Sequence, residues 1–381
     1  MCCMELSRAL HLDTQPWQAR PIRGGSRIEG SAYLQHCSTV ATDVEVLELA
    51  GHEVRITNPA KIFFPRLGLT KLDLARYYVA VGDAALVGCH RRPTTMYRWP
   101  NGVDAPEDAF YQKRVPQSRP EWLQTTIVTF PSGRSAEFLV VADVAHLLWA
   151  INLGCIDINP WPVRSDDVDH PDELRVDLDP TPEFSFENAR EVAEVVREVL
   201  GEHALVGWPK TSGKRGLHIY VRIEREWGFQ QVRRAALALA REVERREPAL
   251  ATTAWWKEER HGVFVDYNQN ARDRTIASAY SVRPAPEGRV SCPLTWDEVP
   301  GADTDAFTIQ TVPERVATVG DPGAGIDAAV GRLDSLLALA DEDEKGGLGD
   351  APWPPHFPKS ATEPVRAAPS RRRQGRRNSG S

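Results

Sequence analysis

Leu174-Arg-Val-Asp-Leu-Asp-Pro180 alternates strictly, with Leu174, Val176 and Leu178 on one side of an extended chain and Arg175, Asp177 and Asp179 on the other. Two carboxylates side by side at a strand end repel each other unless a cation lies between them. Such a D-x-D pair offers the oxygen ligands that Mg²⁺ or Mn²⁺ prefer. Taken alone, the pattern fits as well two solvated aspartates at a strand exit before Pro180. A second run, Val263-Phe-Val-Asp-Tyr267, turns Val263 and Val265 inward and Asp266 outward with Phe264. A third carboxylate on a strand can join the first two, and three can hold two ions ~3.5–4 Å apart for phosphoryl transfer. Otherwise Asp266 is a lone solvated residue.

Between these runs lies Lys210-Thr-Ser-Gly-Lys-Arg-Gly-Leu-His218, a glycine-bounded loop with three cations and two hydroxyls. Its backbone N–H groups and side-chain donors suit phosphate oxygens. It is not a Walker A motif, because the G-x-x-x-x-G-K-[ST] order is missing and a strand follows instead of a helix. In that strand, Leu217 to Ile223, the apolar set Leu217, Ile219, Val221 and Ile223 leaves His218, Tyr220 and Arg222 on the functional side. A plain basic hairpin turn is the alternative. After Asp266, the residues Gln269, Arg272, Arg274 and Arg283 crowd a short stretch. Arginines beside metal-type carboxylates suit a triphosphate, and surface ion pairing is the simpler reading of any one of them.

Helical periodicity surrounds these strands. Thr70 caps a helix through Leu74, Tyr77, Tyr78 and Val81, with Asp73 completing a capping box. Further helices are expected over Val144 to Leu153, Glu187 to Leu200, about Gln230 to Arg246 and Ala328 to Ala340. Strands and helices interleave, which gives a mixed α/β or α+β class. Residues 1–45 read as a loosely ordered extension, 46–359 as the folded domain, and 360–381, ending in an Arg-rich run, as a disordered tail.

The bulk properties exclude several classes. A chain of 381 residues, 41% hydrophobic and 26% charged, is globular, and no apolar run approaches the ~18 residues of a membrane span. The start of the chain lacks the basic and apolar regions of a secretory signal, so a cytoplasmic, nucleoid-associated protein is expected. Six cysteines without C-x-x-C spacing argue against a zinc site or a disulfide framework. A net charge of −7 gives no bulk attraction to nucleic acid, so any DNA contact must come from local basic clusters.

Together these segments resemble the archaeo-eukaryotic primase superfamily, specifically the polymerase domain fused to the bacterial ATP-dependent ligase of non-homologous end joining. The resemblance spans about Val46 to Lys359 and rests on ITNPAKIFFP, LTKLDLARYY, FYQKRVP, LLWAINLGCIDINPWP, ELRVDLDP, KTSGKRGLHIYV, VFVDYNQNARDRTIASAYSVRP and DAPWPPHFPK, in family order. It implies a primase-polymerase fold with an RRM-like catalytic sheet. It places a metal triad on Asp177, Asp179 and Asp266 and triphosphate contacts on Ser212, His218, Gln269 and Arg283. It gives Lys61 and Lys71 a grip on the 5′-phosphate across a gap or break, and for Lys71 a helix N-terminus favours an anion independently. Phe110 and Tyr111 match aromatics that stack near the base or template; on their own they read as core. Two departures stand out. Arg215 replaces the usual Lys and still pairs with phosphate. Asn159 replaces a His near the incoming sugar, where ribose preference is set. Both are features of stand-alone actinobacterial relatives.

The expected activity is therefore metal-dependent extension of a primer with NTPs or dNTPs, in gap filling or end joining. The resemblance implies use of ribonucleotides and of Mn²⁺ over Mg²⁺. The expected partners are DNA with gaps or 5′-phosphorylated breaks, a separate DNA ligase, since no K-x-D-G motif is present, and an end-binding protein. A non-catalytic 5′-phosphate-binding repair module is the main rival, and the three acids argue against it. A two-metal phosphoesterase would not need Ser212, Gln269 and Arg283, and a de novo primase is separated by an assay without primer.

Overall fold

The alternating run becomes the strand Glu173–Pro180, the middle of a five-stranded sheet. The computed structural model describes residues 44–130, 132–354 and 357. In the sheet, Gly207–Thr211 pairs with Leu217–Arg222, which pairs with Glu173–Pro180. That strand pairs in turn with Val263–Val265, and Ala251–Thr252 closes the far edge in parallel. The helices Phe186–Glu202 and Phe229–Arg246 fall between strands. Apart from the short edge strand Ala251–Thr252, the chain order strand-helix-strand-strand-helix-strand, with spatial order 2-3-1-4, is the RRM-like arrangement. The apolar faces of these strands and helices share one core that includes Leu174, Val176, Leu178, Ile219, Val196 and Leu239. Everything polar on the strands is thereby forced onto the opposite face.

A second sheet is built around Pro93–Arg98, flanked by Cys155–Pro160 and Phe110–Gln112, with Ser135–Val140 and Thr125–Thr129 beyond. The helices Lys71–Ala80 and Val144–Asn152 pack with it in a separate core. The two sheets meet across a cluster of buried charge. Arg92, at the head of Pro93–Arg98, reaches Asp172 at 2.6 Å and Glu173 at 3.0 Å, and Glu173 also pairs with Arg175 and Arg222 at 2.7 Å each.

Several expectations shift. The first strand begins at Val44, two residues before the anticipated start, while residues 1–43 and 358–381, including the anticipated tail, lie outside the described residues. Ser185 caps the third anticipated helix, which starts at Phe186. The helix expected over Ala328 to Ala340 is found at Asp334–Lys345, because Gly331 is extended in a bridge to Ile223, just past the end of Leu217–Arg222. Gly331 N–H donates to Arg222 O at 2.9 Å, and Gly331 O accepts from Glu224 N–H at 3.0 Å. The Val263 strand stops at Val265, so Asp266 caps a short 3-10 turn, Tyr267–Asn270, instead of lying on a strand. Among the described residues no helix is long and apolar enough to cross a membrane, and the described cysteines, Cys89, Cys155 and Cys292, are free and buried.

Candidate active site

Asp177 lies opposite His218 in the central ladder, and its backbone oxygen accepts from Asp266 N–H at 2.9 Å, so strand pairing and the turn bring two acids together. Asp179 follows one rung on, opposite Phe264 at the solvent-facing strand exit. Burial raises the Asp177 carboxyl well above the ordinary range, and the Asp179 and Asp266 charges add to this. Burial pushes Asp266 to about 6. Asp179 is also raised by desolvation, against the pull of Arg260, Lys214, Lys257 and Arg215. Three acids held up in this way are each short of positive charge.

Whether they fit divalent cations is tested by the donors present. Asp177 Oδ1 is buried and accepts no hydrogen bond. Its other oxygen accepts from Gln269 Nε2 at 3.0 Å, and the same amide nitrogen lies 3.4 Å from Asp266 Oδ2. The donor set is all oxygen and suits Mg²⁺ or Mn²⁺. As it stands, among the described residues no three His, Cys, Asp or Glu side chains are gathered about one point for an ion. The Gln269 amide takes that place between Asp177 and Asp266.

The glycine-bounded loop differs from its sequence reading in two respects. Lys210 belongs to the strand Gly207–Thr211 and is buried; its Nζ donates to Ala277 O at 2.8 Å and to Ser291 Oγ, and shares a hydrogen bond with His218 Nδ1 at 2.7 Å. Two of the loop's N–H groups are also engaged, since Ser212 Oγ accepts from Lys214 N–H at 3.2 Å and Gly216 N–H at 3.1 Å. Tight packing fixes the loop: a Cβ on Gly216 would lie 2.1 Å from Leu178 O, and one on Gly213, at φ +68°, would lie 2.4 Å from Arg283 Cγ. His218 Nε2 lies 3.4 Å from Asp177 Oδ1, and burial together with Lys210 holds the imidazole far below its usual pKa, hence neutral. Lys214 is exposed, yet its charge is felt by Asp157 and Asp179.

Arg283 reaches the same place from the other side, its Nη1 2.8 Å from Asp157 Oδ2 while its Nε has no partner. Ser281 Oγ donates to Asp157 Oδ1 at 3.0 Å, and Asn159 Nδ2 donates to Asp157 O at 3.1 Å, so Asn159, Asp157 and Arg283 share one wall. Asp157 was not singled out in the sequence, although the alternation of Cys-Ile-Asp-Ile-Asn159 carries it on the face of Asn159. Tyr97, opposite Asp157 in the second sheet, stacks on Tyr111 at 4.0 Å. Tyr111 is 60% exposed and Phe110 43%, which corrects the core reading of their sequence and makes them a surface platform.

Two arginines turn elsewhere. Arg215 donates to Thr181 O at 3.0 Å and Phe184 O at 2.7 Å, so its guanidinium is spent on the neighbouring turn, although its charge still reaches Asp179. Arg272 donates to Thr129 O at 2.8 Å, pairs with Asp169 at 2.7 Å and does not join the cluster. Lys61 and Lys71 form a separate group. Lys71, at the first turn of its Thr70-capped helix, is only 5% exposed, with Nζ donating to Thr57 O at 2.7 Å and Asn152 Oδ1 at 2.8 Å. Burial, with help from Lys61 and Arg98, lowers it to about 8. Lys61 remains exposed and donates to Asn101 Oδ1 at 2.7 Å.

Residues 70–323 match the family model "LigD, primase-polymerase domain". The chain is 30% identical over 310 residues to the multifunctional non-homologous end joining protein LigD of Mycolicibacterium smegmatis, covering 81% of this chain and 40% of that protein. It is 31% identical over 273 residues to the bifunctional non-homologous end joining protein LigD of Bacillus subtilis, covering 71% and 43%. The chain thus spans less than half the length of these relatives. Among solved structures it is similar to the polymerase domain from Mycobacterium tuberculosis Ligase D in complex with DNA, with a TM-score of 0.67 and 32% identity over 72% of this chain and 97% of that one.

Proposed function

The chain belongs to the LigD primase-polymerase domain family, and from that premise we propose that it is a template-directed nucleotidyltransferase. It adds NTPs or dNTPs to a primer 3′-hydroxyl in gap filling or end joining during DNA repair. One observation carries the reading: three carboxylates with raised pKa stand beside a neutral histidine and an arginine with an unpartnered Nε. That combination serves a substrate bringing both divalent cations and a polyphosphate.

Asp177 and Asp179 would hold both ions, Mn²⁺ or Mg²⁺, and Asp266 the one nearer the primer. When bound, the ions lower the cost of forming the attacking alkoxide and of releasing pyrophosphate. Around them the side chains bind and orient. The primer 3′-hydroxyl gives its proton to solvent as its oxygen forms the bond to the α-phosphorus, and the bond to the leaving pyrophosphate breaks. With Nδ1 engaged by Lys210, His218 would turn Nε2 to a phosphate oxygen. Arg283, held by Asp157, offers Nε to the triphosphate, with Lys214 and Ser212 beside it. Gln269 would release Asp177 and turn its amide to the nucleotide. Asn159 would face the sugar, and Phe110 and Tyr111 the base or template. Arg215 contributes charge from outside the cluster.

Lys61 and Lys71 would hold the 5′-phosphate on the far side of a gap. The similarity to a polymerase domain in complex with DNA supports DNA as the partner. The remaining nick would be sealed by a DNA ligase, with an end-binding protein recruiting both.

The test is extension of a labelled primer across a short gap with a downstream 5′-phosphate, in Mn²⁺ or Mg²⁺ and with NTPs or dNTPs, for the wild type and Asp177→Ala. We expect growth that the substitution abolishes, and the two nucleotide pools reveal the sugar preference. Binding without growth in either metal would leave a non-catalytic end-binding module as the better description.

A further inference from the structure

The segment Asp350-Ala-Pro-Trp353 has no part in the site as described, yet it is tied to the loop that carries Asp266. The tie runs through Arg233, on the helix Phe229–Arg246, which is 1% exposed. Its Nη1 donates to Asp350 Oδ1 at 2.8 Å and its Nη2 to Ala351 O at 2.8 Å and Pro352 O at 3.2 Å. On the other side, Nε donates to Asn268 Oδ1 at 2.7 Å. The guanidinium is layered between the rings of Trp353, at 3.9 Å, and Tyr267, at 5.1 Å. Asn268 is held at both ends of its amide, since Nδ2 donates to Pro352 O at 2.9 Å. Its backbone N–H then donates to Asp266 Oδ1 at 2.8 Å.

A buried guanidinium carries a large desolvation cost, and apolar packing would fill the same space more cheaply. What a planar fork adds is direction. We propose that Asp350–Trp353 is a clamp whose positioning residues, Arg233 and Asn268, fix which oxygen of Asp266 faces the metal site. Oδ1 is taken by Asn268 N–H, and Oδ2 is left for a cation, on the side where the Gln269 amide now lies. The proposal rests on the metal-binding reading above. Outer partners of this type change metal affinity about 10–100-fold when removed.

The test measures Mn²⁺ binding directly, by the loss of the free-ion electron paramagnetic resonance signal on titrating the full chain without DNA or nucleotide. Wild type, Asp266→Ala, Arg233→Met, Arg233→Lys and Asp350→Ala are compared, with circular dichroism melting of each. We expect Arg233→Met and Asp350→Ala to weaken Mn²⁺ binding by about 10–100-fold at temperatures where both are fully folded. Arg233→Lys should not restore it, because an ammonium cannot hold both segments in fixed directions. Lowered melting temperatures with unchanged Mn²⁺ affinity would overturn the clamp. If Arg233→Met fails to fold, Asp350→Ala, which changes a partly exposed side chain, decides alone. If Asp266→Ala itself leaves Mn²⁺ binding unchanged, the metal reading is at fault, a result distinct from failure of the clamp.

Discussion

Lys71 offers the sharpest test of the proposed 5′-phosphate site. Its ammonium is buried against Thr57 O and Asn152 Oδ1 and is already close to losing its proton, with a pKa of about 8. A charge-assisted hydrogen bond to phosphate contributes roughly 1.5–3 kcal/mol, or about 10–150-fold in affinity. Lys71→Gln should therefore lose most of the preference for a gap with a 5′-phosphate over one with a 5′-hydroxyl, while affinity for the hydroxyl form changes little. The pH dependence has a definite sign. Phosphate binds the protonated amine, so the preference is full below pH 8 and declines above it, by roughly tenfold at pH 9. Fluorescence anisotropy with the two oligonucleotide sets, from pH 6.5 to 9.5, measures this. A preference that survives Lys71→Gln, or one that stays flat to pH 9.5 in the wild type, would refute the assignment of this lysine.

Gly216→Ala forces a Cβ to within 2.1 Å of Leu178 O and should cost about 1–3 kcal/mol in urea unfolding, with loss of extension activity; an unchanged midpoint would show that the loop is slack. Asp157→Asn should raise KM for the nucleotide more than it lowers kcat, because it loosens Arg283 from its 2.8 Å anchor without touching the acids. Equal losses in kcat and kcat/KM would count against that role. Tyr111→Ala should weaken binding of a single-stranded template by about 1–3 kcal/mol, and Tyr111→Phe should restore it, as expected for ring stacking. Removing residues 360–381 should flatten the salt dependence of DNA binding if the Arg-rich tail contacts phosphates.

The sheet was legible because its central strand has period two and carries apolar residues on one face only. Leu174, Val176 and Leu178 had to be buried together, which left Asp177 and Asp179 together on the other side. Asp266 was found for the wrong local reason: it caps a turn, and its proximity to Asp177 comes from a backbone hydrogen bond that no alternation encodes. Lys210 and Lys71 look like surface cations in a linear reading. Their burial depends on acceptors supplied from far along the chain, Ser291 for one and Asn152 for the other. Tyr111 shows the opposite error, since an aromatic at a sheet edge can stack on Tyr97 and still face solvent. The directions of Arg215 and Arg272 were equally hidden, because a long cation goes to whichever carbonyl or carboxylate the fold leaves unsatisfied nearby.

The charged junction between the two sheets has a mechanical meaning. Apolar contacts are non-directional and let packed layers slide, whereas Arg92, Arg175 and Arg222 grip Asp172 and Glu173 along fixed axes. The acid strand stands on one side of this joint and the Tyr97–Tyr111 platform on the other. The spacing between them is therefore set, as between jaws bolted at the root.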